Sequence, residues 1–315
     1  MRKDCMDDHV NDDVQLPEQS RRAKTLKPLV RGVLLIIFAV IVFGVVYIGR
    51  LFFTQYDQIY SPQRYESSYT ALLPANTREI TYTTSSGKQT VFYIPSEENT
   101  YSAPERLWIL FNGNAVTALD WLDIIADLPD KQAGLLLIEY PGYGVCEGKP
   151  RAGKILESSE AAFQALAREL RVSPERLEKN LCIMGYSIGS GTSLQFAAHH
   201  PIKRLILIAP FTSLVDMAAL EVGPVLSRLV MERYDNRRRL NELAARNAPP
   251  DIHIFHGDKD TTVPFVMGKQ LAEDHPGIIT FHQIKGATHS DIFDLALDDL
   301  YNAMTEGTSG SIPED

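Results

Sequence analysis

One uninterrupted apolar run, residues 32–49, stands apart from everything else in the chain; beyond residue 76, short apolar runs alternate with longer amphipathic ones. Residues 79–84 and 89–94 alternate in polarity around Ser85-Ser86-Gly87-Lys88, which predicts a hairpin. The runs at 107–111, 134–140, 181–184, 204–209, 252–255 and 278–284 have the length and character of buried parallel strands. Helices are predicted between them. One carries Trp121, Leu122, Ile124, Ile125 and Leu128. A second covers 153–171, with Ile155, Leu156, Ala162, Phe163, Leu166 and Leu170 on its inner face. A third follows residue 187 and stops near Pro201. Residues 211–250 read as helical but less regular, and further helices are expected over 264–275 and 290–303. Strands alternating with helices predict an α/β fold: a mostly parallel sheet of about eight strands, covered by helices on both faces. The leading hairpin adds an antiparallel edge.

The apolar run Gly32–Gly49 holds 18 residues without a charge, bracketed by Arg31 and Arg50. That length suits a transmembrane helix. It is too long for a typical signal-peptide core, and no small-x-small cleavage site follows, so an uncleaved signal anchor over 32–50 is expected. Arg21, Arg22, Lys24, Lys27 and Arg31 precede the span, against Arg50 and Arg64 shortly after it. The N-terminus is therefore expected in the cytoplasm and the body on the outer, extracytoplasmic side. Six acidic and seven basic residues crowd positions 1–31, which read as a disordered tail. Residues 51–75 read as a linker, 76–303 as the folded domain, and 304–315 as a polar tail.

Charge and cysteine content narrow the classes. With 315 residues and 44% hydrophobic content the chain can build a large core. A net charge of −9 and the lack of a basic stripe argue against nucleic acid as a partner. Cys5, Cys146 and Cys182 form neither a metal-type pair nor a disulfide framework. Cys182 falls in a predicted core strand, where a buried thiol is expected.

In sheets of this kind chemistry collects past the carboxyl ends of the strands. Gly185-Tyr186-Ser187-Ile188-Gly189 lies there, between a buried strand and a helix. A turn sharp enough to expose Ser187 brings the two backbones together, so positions 185 and 189 need to be small. Ser187 is the candidate nucleophile. The amide of Ile188, at a helix N-terminus, is a candidate oxyanion donor. A serine nucleophile needs a base and the base needs an orienting carboxylate, in the chain order Ser, acid, His. After the strand at 252–255 comes His256-Gly257-Asp258-Lys259-Asp260-Thr261-Thr262-Val263-Pro264. Either aspartate can serve; Asp260 lies deeper in the loop and is preferred. Position and order single out His289 as the base, while His256 reads as structural. Asn112-Gly113-Asn114-Ala115 ends an earlier strand, and the amide of Asn114 is the second candidate oxyanion donor.

At these residues the chain resembles the alpha/beta-hydrolase superfamily over about residues 76–303. The elbow, the Gly257–Pro264 loop and Gly286-Ala287-Thr288-His289 match its serine-hydrolase pattern. Phe111-Asn112-Gly113-Asn114-Ala115, Tyr140-Pro141-Gly142-Tyr143-Gly144 and Arg233-Tyr234-Asp235-Asn236 look like a membrane-anchored alpha/beta-hydrolase-domain subgroup that includes protein depalmitoylase-like members. Members often carry His where Asn112 stands and Ser where Cys146 stands. The resemblance implies the alpha/beta-hydrolase fold and acyl hydrolysis with no metal and no organic cofactor. The expected function is a membrane-tethered serine hydrolase acting on esters or thioesters of small-molecule or lipid acyl substrates. A non-catalytic scaffold that binds a partner or lipid, or a serine peptidase, is the alternative. Residues 211–250 carry more apolar side chains than a connecting helix needs, which points either to packing on the sheet or to a small cap with an acyl groove.

Overall fold

A computed structural model describes residues 18–97 and 102–305, with side chains from Leu29 onward. The chain divides into two compact units, residues 1–53 and 54–315. The first contains most of helix α1 (Glu18–Ile59), within which Leu29–Ile59 is long and apolar enough to cross a membrane. Helix α1 begins well before the apolar run. The disorder expected for 1–31 therefore does not hold from Glu18 on, where Glu, Gln, Arg, Ala and Lys favour helix; residues 1–17, with Cys5, lie outside the described residues.

The second unit is an eight-stranded sheet in the order β1-β2-β4-β3-β5-β6-β7-β8. Strands β1 (Arg78–Thr84) and β2 (Gly87–Ile94) form the expected hairpin, and β2 pairs antiparallel with β4 (Ala133–Ile138). The remaining strands, β3 (Arg106–Phe111), β5 (Leu181–Tyr186), β6 (Arg204–Ile208), β7 (Asp251–Gly257) and β8 (Ile279–Ile284), run parallel with β4. Every residue of β4 is buried, as expected when helices cover both faces. Alternate side chains of β3 enter two separate cores. Leu107, Ile109 and Phe111 pack with helices α3 (Ala152–Glu169), α5 (Ile188–Ala197), α7 (Asn236–Ala244) and α8 (Phe265–Glu273). Trp108 and Leu110 pack with α2 (Trp121–Ile125) and α9 (Ile292–Thr305) on the other face. A short α4 (Pro174–Glu178) leads into β5. Cys182 is buried in β5, as its position predicts.

Two segments differ from the sequence expectation. The linker placed at 51–75 is largely structured: α1 runs to Ile59, and a 3-10 turn covers Tyr69–Leu72. Gln55 and Tyr60 are buried, and Arg64 bridges to Gly144. Their polar ends find partners in the domain, so the segment stays on it as a strap. Likewise α9 continues to Thr305, into the start of the expected polar tail; residues 306–315 lie outside the described residues.

Residues 211–250 split in two. Helix α7 buries Leu240 and Leu243 in the core. Helix α6 (Leu214–Leu226) has no buried residue and is broken at Gly223, where φ is +80° and Pro224 follows.

Candidate active site

Ser187 sits between β5 and α5 with φ +54° and ψ −120°, a conformation that few non-glycine residues adopt. Its amide donates to Ile208 O at 2.8 Å, which ties the corner to β6. A Cβ at position 185 would lie 2.3 Å from Gly189 O, so this glycine is needed where strand and helix meet, as expected. Gly189 is needed for a different reason. A Cβ there would lie 2.3 Å from Phe111 O and 2.5 Å from Asn112 O, on the neighbouring strand. The elbow thus presses directly against the start of the loop at 112–115.

His289 enters from the loop after β8. Its Nε2 lies 2.9 Å from Ser187 Oγ, and its Nδ1 lies 2.7 Å from Asp260 Oδ2. The hydroxyl can donate to Nε2 while Nδ1–H donates to the carboxylate. The Asp260 side chain is fully enclosed. Its Oδ1 accepts the amides of Thr262 and Val263, each at 2.9 Å. Burial opposes its ionisation, but donors from His256, His289 and the Val263 amide outweigh burial and hold the carboxyl well below the usual carboxylate range. Asp258 is turned elsewhere: it accepts Gly286 N at 2.8 Å and Gln283 Nε2 at 3.2 Å, bracing the loop that leads to His289.

Sequence reasoning missed several residues around this chain of contacts. His256 is fully buried; its Nε2 donates to Val263 O at 2.9 Å and lies 3.4 Å from Asp260 Oδ2. Its place four residues before Asp260 was the available signal. Tyr186 stacks on the His289 ring at 5.1 Å between centroids and donates through its hydroxyl to His289 O at 2.7 Å. An aromatic beside the nucleophile was visible; its partner 103 residues away was not. The other described histidines lie apart. His253 pairs with His282, and His199 and His200 bond Glu160.

The loop carrying Asn114 is held from several directions. Asn112, fully buried, accepts Trp121 Nε1–H at 3.0 Å and donates through Nδ2 to Glu139 Oε1 at 3.3 Å. Glu139 also accepts Ala118 N at 3.2 Å and, closely, the hydroxyl of Tyr65. Burial pushes the Glu139 carboxyl up to about 7, against the pull of its donors Tyr65, Ala118 and Tyr140. Ser61 N donates to Asn114 Oδ1 at 2.6 Å, and Tyr143 donates through its hydroxyl to Asn114 O at 2.6 Å. The strap after α1 therefore reaches the loop itself.

A cavity of about 200 Å³ opens beside the elbow, lined by Gly113, Val116, Trp121, Ile124, Tyr186 and Phe293, among others. Its described lining takes nothing from 211–250, where an acyl groove was one expectation. No cluster of His, Cys, Asp and Glu suited to a metal occurs among the described residues.

Comparison with known proteins bears on the fold. No family model matches the chain. It is 26% identical over 189 residues to alpha/beta hydrolase domain-containing protein 17C of Mus musculus, covering 59% of this chain and 55% of that protein. The chain thus spans little more than half of that relative's length. It is 26% identical over 225 residues to an uncharacterized protein of Mycobacterium tuberculosis, covering 71% of this chain and 76% of that one. Among solved structures, an esterase of Pyrococcus furiosus superposes with a TM-score of 0.59 at 14% identity, over 79% of this chain and 96% of that one. An alpha-beta hydrolase of Vibrio vulnificus superposes with a TM-score of 0.57 at 16% identity, over 73% and 81%.

Proposed function

We propose that this chain, which belongs to the alpha/beta-hydrolase superfamily, is a membrane-anchored serine hydrolase that cleaves carboxylic esters or thioesters. The observation that carries the proposal is the continuous contact from Ser187 Oγ to His289 Nε2 at 2.9 Å and from His289 Nδ1 to Asp260 Oδ2 at 2.7 Å. Ser187 Oγ attacks the acyl carbonyl carbon and gives its proton to His289 Nε2. The imidazolium that forms is stabilised by the buried Asp260 carboxylate. The amides of Ile188 and Asn114 meet the oxyanion. When the C–O or C–S bond breaks, His289 returns the proton to the leaving alcohol or thiol. Water then enters, gives a proton to His289 and hydrolyses the acyl-enzyme, and Ser187 regains its proton.

The cavity beside the elbow supports an acyl substrate. A cavity of about 150 Å³ accommodates benzene, so one of about 200 Å³ is of a size to take a medium-length acyl chain. Helix α1 supports anchoring, since it is long and apolar enough to cross a bilayer. The decisive experiment is fluorophosphonate labelling of the full chain and of Ser187→Ala, with hydrolysis measured on acetyl to dodecanoyl esters. Labelling should vanish in Ser187→Ala while its melting curve stays that of a folded domain. Wild-type kcat/KM should rise from acetyl to about octanoyl and then level off. Full labelling of Ser187→Ala would remove Ser187 as nucleophile, and a steady fall of kcat/KM with chain length would remove the acyl cavity.

A further inference from the structure

We propose that the outer face of α6 and the turn after it form a docking surface for an anionic lipid bilayer. The inference rests on the membrane anchor proposed above and adds a second contact made by the folded domain. Helix α6 buries none of its residues. Leu220 is 61% exposed and Val225 75%, and Leu229 and Met231 continue the apolar surface through the following turn. Arg228 and Arg233 are exposed on the same stretch, and neither forms an ion pair among the described residues. Two guanidinium groups without an ion pair thus stand beside four exposed apolar side chains. Exposed carboxylates on the stretch are Glu221 and Asp235, and Asp235 is engaged as the cap of α7 through Arg238 N. Apolar side chains bordered by arginine are the composition that settles into a headgroup layer.

Chain connectivity says what covers this face. Gln55 Oε1 accepts Met231 N at 2.7 Å, the Tyr56 hydroxyl lies 3.8 Å from Met231 Sδ, and the Tyr60 hydroxyl donates to Glu232 at 3.1 Å. The tether thus meets the domain at the patch. Gly49 ends the apolar run six residues before Gln55. Six residues span at most about 20 Å however they are arranged. Met231 is therefore held close to the point where the chain leaves the bilayer. Helix α6 also follows β6, so it lies at the carboxyl ends of the strands, with Ser187. Docking of α6 holds that end near lipid, which fits acyl substrates drawn from the membrane.

The test uses the full chain with Cys5→Ser, reconstituted into phosphatidylcholine vesicles with and without phosphatidylglycerol. Single cysteines are introduced as Val42→Cys in the span, Val225→Cys on α6 and Lys179→Cys after α4, each labelled with a polarity-sensitive dye. Cys146 and Cys182 are buried and stay unlabelled in the folded protein. The dyes at 42 and 225 should be blue-shifted and quenched by nitroxide lipids, and the dye at 179 quenched only by aqueous iodide. Quenching at 225 should weaken without phosphatidylglycerol. If 42 is quenched by lipid while 225 behaves like 179, docking is overturned and the anchor stands. A dye at 42 that lipid nitroxides do not reach overturns both. Equal quenching at 225 in both vesicle types removes the role given to Arg228 and Arg233.

Discussion

The two amides proposed to meet the oxyanion are built in opposite ways. Ile188 is placed by its immediate neighbours: the strained Ser187, Gly185 against Gly189, and the first turn of α5. Asn114 is placed from a distance, by Ser61, Tyr143 and the buried Asn112–Glu139 pair. One half of the site is therefore shaped by five consecutive residues braced on the adjacent β3 and β6, while the other depends on contacts made across the fold. Damage to the first half should be all-or-none; damage to the second should be graded.

The largest effect is expected at neither amide but at the carboxylate that orients His289. Asp260→Asn leaves His289 Nδ1 facing a neutral amide and favours the wrong tautomer. The expected loss in kcat is on the order of 10⁴-fold, by analogy with other triads. Asp258→Asn should cost less than about tenfold, because Asp258 only braces Gly286 and Gln283. Steady-state kinetics on one ester substrate ranks the two. The reverse order would transfer the acid's role to Asp258.

A smaller, graded loss is expected from Glu139→Gln. Both oxygens of Glu139 face donors: Tyr65 and Ala118 on one, Asn112 and Tyr140 on the other. A glutamine must turn its NH₂ toward one pair, leaving a donor facing a donor at a cost of about 1–3 kcal/mol. Since Asn112 and Ala118 flank Asn114, kcat should fall about 10²-fold, the lower end of the cost of one missing oxyanion donor. Stability carries a separate signature. Glu139 has a folded pKa of about 7, above the unfolded value. Its contribution is thus greatest below the unfolded pKa, about 4.3, and is lost as pH rises through 7, by about 4 kcal/mol in all. Wild type should be the more stable protein at pH 5, and the gap should shrink by pH 8. A gap in melting temperature that stayed constant with pH would mean that Glu139 does not titrate in this window.

The same contrast decided what could be read from the sequence. The strands and the elbow are periodic or local patterns, and each lies where spacing places it; Asp260 and His289, 29 residues apart, follow the ends of the adjacent strands β7 and β8. Glu139 looked like the end of a buried strand, because its donors come from positions 65, 112, 118 and 140 and spacing cannot bring those together. The strap at 54–65 looked like a linker for the same reason. Tyr60 and Ser61 have partners 53 to 174 residues away. Only for Gly189 did a local pattern give the right residue for an incomplete reason, since the clash lies on β3 rather than within the elbow.

The smallest effect, and the sharpest test of the contrast, belongs to Tyr143→Phe. The ring is fully buried and packs edge-on against Tyr140, so phenylalanine keeps the packing and removes only the hydroxyl. That hydroxyl donates to Asn114 O at 2.6 Å and accepts Ser61 N at 3.1 Å. Ser61 N keeps Asn114 Oδ1 as an acceptor at 2.6 Å, so the strap stays joined to the loop. Asn114 O loses its donor, at about 1 kcal/mol of stability. The amide of Asn114 remains but is less firmly aimed. Because removing an oxyanion donor outright costs 10²–10³ in kcat, loosening one should cost about tenfold or less, with KM unchanged. Thermal melting and steady-state kinetics on an octanoyl ester measure both. An unchanged kcat would show that the remaining contacts suffice to aim Asn114. A loss of a hundredfold or more would show that one hydroxyl does most of the holding, and the distant half of the site would then be as all-or-none as the elbow.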